Sequence, residues 1–83
     1  MELNLERIAE QSVTEAVREC KDNMHNPAQE DVMEVAQNNV WHNVIRLSKR
    51  NTHDTFISMD VREATRHLPK FIGRHVNSEG RIF

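Results

Sequence analysis

The sequence predicts a small all-α protein, a three-helix bundle followed by a C-terminal tail. Three observations carry this. Apolar residues recur at helical spacing in three successive segments, no segment shows the strict alternation of a half-buried strand, and 83 residues with two glycines and two prolines leave little chain for loops. Helices with short connections and one apolar face each are satisfied by packing on one another.

The first helix is expected over residues 5–24. Leu5, Ala9, Val13, Ala16, Val17, Cys20 and Met24 fall on one face. Asn4 is a suitable N-cap, and Glu6 lies in the first turn, where the helix dipole favours an acid. Asn26-Pro27 predicts a break and a restart. Asn26 would cap, Pro27 brings its φ already set, and Gln29 stands three residues after the cap. The second helix then runs over 27–49, with Val32, Met33, Ala36, Val40, Val44 and Leu47 as its main apolar face. Trp41 and Ile45 lie outside that face and form a second, narrower patch. Residues 51–54 are a polar linker. A third helix, capped by Asp54 or Ser58, should run to Leu68 on the stripe Ile57, Val61, Ala64 and Leu68, with Pro69 stopping it. A short strand over 55–59 is the competing reading, disfavoured because no second strand pattern exists to pair with it. The helical domain is thus 1–69 and the tail 70–83. The tail holds both glycines, but Phe71, Ile72, Val76, Ile82 and Phe83 mean that it either docks on the bundle or orders on a partner.

Charge is divided unevenly. Residues 1–42 carry a net −6 and residues 43–83 a net +4, beneath an overall charge of −2. Such a split implies internal pairing of the halves or an anionic partner for the second half. Charged residues are 29% and hydrophobic residues 37% of the chain, polar for a folded domain but short of a disordered composition. A domain of this size buries a modest core, so a partner or self-association into a homo-oligomer fits the numbers. No apolar run exceeds two residues, which excludes a membrane-spanning helix. The opening Met1-Glu2-Leu3-Asn4-Leu5-Glu6-Arg7 is not the basic start of a secretory signal. A lone cysteine fits a reducing compartment, so a cytoplasmic location is expected.

Residues able to do chemistry are present without the patterns that chemistry needs. His25, His42, His53, His67 and His75 form no close pair with one another or with Cys20, so no metal site is expected. Cys20 lies on the apolar stripe of the first helix, where a buried, inert thiol is the expectation. No serine stands in a nucleophile elbow. No catalytic residue and no cofactor is therefore assigned.

Two binding surfaces remain. The first is a protein-binding surface of Trp41, His42 and Ile45 with Arg62 and Arg66, since tryptophan dominates contact surfaces when seated in a pocket. His42 beside Trp41 could add a proton-sensitive hydrogen bond there. The second is an anion-facing surface of Lys49, Arg50, Arg62, Arg66, Lys70 and Arg74, the alternative of a nucleic-acid-binding regulator. A pI near 6.2, few aromatics and a linker without glycine weigh against that alternative.

Over its whole length, including Asn26-Pro27, Trp41-His42 and the basic region 62–74, the chain resembles the cytoplasmic antiholins of T-even phages, accessory proteins of lysis inhibition. The resemblance implies a soluble, non-enzymatic regulator in the host cytoplasm that binds the short cytoplasmic segment of a membrane holin and delays lysis. It carries over no binding residues.

Overall fold

The computed structural model describes residues 3–48 and 55–83. The chain is all-α, as the periodicity requires. Three longer helices, α1 (Leu5–Asn23), α2 (Gln29–Ser48) and α3 (Thr55–Thr65), are followed by a short α4 (Leu68–Gly73). Lys49, Arg50, His53 and the expected 51–54 linker lie outside the described residues.

Helix α1 begins where expected. The Asn4 side-chain oxygen accepts from the Arg7 amide at 3.0 Å, and Glu6 occupies the first turn. The helix closes at Asn23, and the Met24 amide donates back to the Cys20 carbonyl at 2.9 Å.

The start of α2 differs from expectation. Asn26 does not cap it. Asn26 adopts φ 55, a left-handed conformation that asparagine tolerates, and serves to reverse the chain. The helix begins two residues later, at Gln29. Its return cap comes from Asp31, whose carboxylate accepts from the Ala28 amide at 2.9 Å. A carboxylate one turn into the helix satisfies an amide that Asn26 would have had to reach from outside.

The third helix also ends earlier than Leu68. The Thr65 hydroxyl donates to the Val61 carbonyl at 2.6 Å, and the His67 amide turns back to the Ala64 carbonyl at 3.0 Å, tightening the last turn. Pro69 does not stop this helix. It sits in the first turn of α4, where a missing N–H costs nothing. Leu68, the residue before this proline, is already part of α4, and the break lies at Arg66 and His67. Residues 55–59 are helical.

One core unites all these elements. It contains Ile8, Ala9, Val13, Ala16, Val17 and Cys20 of α1, and Val32, Ala36, Val40 and Val44 of α2. Ile57 and Ala64 of α3, Leu68, Phe71 and Ile72 of α4, and Ile82 complete it. The alanines let helices approach closely, and their small side chains leave the volume to be filled by valine and isoleucine. Two residues expected on apolar faces lie at the ends of their helices and are exposed instead, Met24 and Leu47. Leu5, Met33 and Val61 are half-buried against the core.

The interface of α1 and α2 contains a polar seam. Asn43 is buried and donates through its amide nitrogen to the Ser12 hydroxyl at 3.0 Å and to the Glu15 carboxylate at 3.1 Å. Its oxygen accepts from Arg46 at 3.1 Å. Ser12, also buried, donates to the Ile8 carbonyl at 2.7 Å. Among the described residues no buried side-chain nitrogen or oxygen lacks a partner. A fully satisfied seam costs little, whereas a half-satisfied one is expensive.

The residues expected as a tail begin inside α4, and the rest dock on the bundle. Asn77 organises a turn by accepting from the amides of Glu79 and Arg81, at 2.9 and 3.0 Å. Gly80 supplies the φ of +77 that the turn needs. The chain then runs beside the α1–α2 connection. The Gly80 carbonyl accepts from the Gln29 amide at 3.2 Å, and the Ile82 amide donates to the Pro27 carbonyl at 3.1 Å. The docked segment therefore satisfies one of the orphan amides at the start of α2.

Two outcomes are expected in chemical denaturation. Asn43→Ala should destabilise the fold by about 1–3 kcal/mol, and a double-mutant cycle with Ser12→Ala should show coupling of roughly 0.5 kcal/mol or more. Ile82→Ala should cost about 2 kcal/mol and increase hydrogen exchange at the Gln29 amide. An unchanged Gln29 exchange rate would show that the docked segment does not hold this helix end.

Candidate functional site

The candidate protein-binding residues occupy two helices. On α2 one face points inward along its length and the other outward. Val40 and Val44 are buried, so Trp41 and His42 are carried to the outside. Trp41 is 37% exposed, and Ile45, one turn on, is half-buried against the core. The pair Trp41/Ile45 is thus a ledge at the core's edge, half covered and half open. On α3, Arg62 and Arg66 are exposed, and Arg66 pairs with Glu63 at 3.3 Å. Among the described residues no hydrogen bond or ion pair joins the α2 group to the α3 pair. Sequence reasoning placed them on one surface; the geometry supports the α2 group as a unit in itself.

The candidate anion-facing residues are partly occupied within the molecule. Lys70 pairs with Glu6, and Arg74 lies 3.5 Å from Glu10. Both cations also flank the ring of buried Phe71, at 4.8 and 4.9 Å from its centroid. The acids of α1 and the bases of α4 face each other, so part of the charge split is internal pairing. With Arg66 held by Glu63, three of the four described cations of this set have a carboxylate partner.

The Lys70 ammonium, by hydrogen bond and by charge, holds the Glu6 carboxyl below the ordinary glutamate range. This pair is solvent-exposed and therefore screened by salt.

Cys20 is buried, and burial pushes its thiol up, with the Asp31 and Glu19 charges acting in the same direction. A protonated, enclosed thiol is a poor nucleophile. Among the described residues no three of His, Cys, Asp and Glu converge as metal ligands. His25 and His42 are exposed, and His67 and His75 half-buried. No helix among the described residues is long and apolar enough to cross a membrane.

Sequence reasoning missed a groove between α2 and α4. It holds about 430 Å³, with Met33 and buried Ile72 on its floor and Pro69 and Gly73 on its α4 side. Glu30, Glu34 and Gln37 form the α2 side. Met33, Gln37 and Trp41 follow at intervals of four, so the tryptophan ledge stands one turn beyond the last α2 residue lining the groove. The signal in the sequence was that spacing, but α4, the opposite wall, has no periodicity long enough to be read.

No family model matches the chain, and no curated protein or solved structure is significantly similar to it.

The Glu6–Lys70 pair yields a pH dependence of definite sign. Because the folded-state pKa of Glu6 is lowered, its contribution is present above the ordinary glutamate pKa and lost as pH falls through the lowered value. In a carboxyl NMR titration, Lys70→Met should return the Glu6 midpoint to the ordinary glutamate range, and high salt should do so in part. A midpoint unmoved by Lys70→Met would assign the shift to another cause.

Proposed function

We propose that this protein is a non-enzymatic regulator that acts by binding another protein and modulating it. The observation that supports this most is the Trp41/Ile45 ledge. A large aromatic side chain, half exposed on a solvated helix face, is suited to become the buried centre of a contact.

The resemblance to the T-even antiholins supplies a candidate target, the cytoplasmic segment of a holin, and places the complex in the host cytoplasm at the inner membrane. On this reading the protein delays lysis by occupying that segment. Nucleic-acid binding through Arg62, Arg66, Lys70 and Arg74 is the alternative, and the pairing of Lys70 and Arg74 with α1 disfavours it. A phosphate backbone would have to compete with carboxylates already in place.

Partner capture from the native host, with nuclease treatment as a control, tests the function. Capture of a protein partner that survives nuclease is expected. Trp41→Ala should weaken that capture by about tenfold or more while the variant keeps its helical content, because removing a half-exposed side chain costs more at a contact than in the fold. A folded Trp41→Ala variant that binds equally well would remove the ledge as the contact. Capture abolished by nuclease would favour the nucleic-acid alternative.

A further inference from the structure

The groove between α2 and α4 has a charge pattern that says what would fill it. Its floor is apolar, formed by Met33 and Ile72. Its α2 rim carries Glu30 and Glu34, both exposed and neither in a side-chain hydrogen bond or ion pair among the described residues. This differs from the first half of α1, where Glu6, Glu10 and Glu15 each have a nitrogen partner; the exposed Glu19 and Asp22 near its end border no apolar groove of this kind. Glu30, in the first turn of α2, is accounted for by the helix dipole. Glu34 lies beyond that turn and has no such reason to be there. Trp41 lies one turn beyond Gln37 on the same side of α2, outside the groove's lining but within reach of an occupant that extends past it.

We infer that this groove receives a cationic amphipathic helix of a partner protein. The apolar face of that helix lies on Met33 and Ile72, its Lys or Arg side chains meet Glu30 and Glu34, and its end packs on Trp41. This deepens the protein-binding function proposed above and rests on it. Helix-in-groove recognition uses anchors at i, i+3 or i+4 and i+7 for affinity, with rim charges fixing orientation and on-rate. On the α4 side, a side chain at Gly73 would meet no atom within 4 Å, so the wall is open to an incoming helix. Against an acidic rim a phosphate-bearing ligand is repelled, which excludes nucleic acid and anionic lipid from this face.

The test uses the full chain and a designed probe, a helical peptide of roughly 18 residues with leucines on one face and lysines elsewhere. A counterpart with glutamates in place of the lysines is the comparison. Trp41 is the sole tryptophan, so its fluorescence reports binding directly. Saturable binding of the lysine peptide alone is expected, with amide shift changes confined to residues 29–41 and 69–73. Glu30→Lys/Glu34→Lys should weaken it by about tenfold, and Glu34→Gln alone by about threefold. Glu19→Lys/Asp22→Lys, equal in net charge and placed on α1, should leave it nearly unchanged. Equal losses in the two double variants, shift changes centred on α1, equal binding of the glutamate peptide, or groove shifts produced by self-association without peptide would each overturn the assignment. If the peptide fails while Trp41→Ala still loses its host partner, the binding function stands and its site lies elsewhere. If both fail, so do both readings.

Discussion

The buried amide of Asn43 is the constraint on which the packing of this protein depends. With Asn39, whose amide donates to the Ser12 carbonyl at 3.4 Å, it ties the register of α1 to that of α2 by direction as well as by area. Apolar contacts between valines and alanines tolerate sliding and rotation, since a displaced methyl group finds another surface of similar worth. An amide that donates to Ser12 and Glu15 and accepts from Arg46 has a single satisfied arrangement. Any other register buries the amide unpaired. With α1 and α2 locked, the groove along their joint surface is defined, and α3, α4 and the docked C-terminal segment fill it.

A chain of this length buries a modest core, and its last segment is drawn into it. Residues 68–82 supply Leu68, Phe71, Ile72 and Ile82 to the core. They also contribute polar bonds that the helices cannot make for themselves. The Gly80 carbonyl takes up a first-turn amide of α2, and Lys70 and Arg74 answer two acids of α1. The charge split therefore has a structural meaning. It helps bring the last part of the chain back onto the first. What it leaves over is an unanswered acidic edge on α2, beside an apolar groove and a half-exposed tryptophan.

Exposed apolar side chains set out the functional reading. Trp41 sits where it can contribute to a contact without being needed to fill the core, because Val40 and Val44 already occupy the inward positions of that turn. On this one helix the inward face fills the core and the outward face leaves Trp41 half open, the feature on which the proposed binding role rests. Cys20, the most chemically capable side chain of the core, is withheld from solvent by the same packing.

The order and type of the long helices, the N-cap at Asn4 and the inward faces of α1 and α2 were legible in the sequence, because each depends on spacing within a few turns. The stripe Val32, Ala36, Val40 and Val44 is local information of this kind. The cap of α2 was misplaced, since Asn26 and Asp31 are both chemically able to cap and the choice between them turns on where the chain reverses. The break at Thr65 was missed for a similar reason: Pro69 is compatible with ending one helix or beginning another. The Asn43 seam, the answer of α4 to the acids of α1, the docking of Ile82 and the groove that α4 walls were settled only in three dimensions. Each joins residues far apart along the chain, and a polar side chain on an otherwise apolar face gives no sign of its partner until two helices meet.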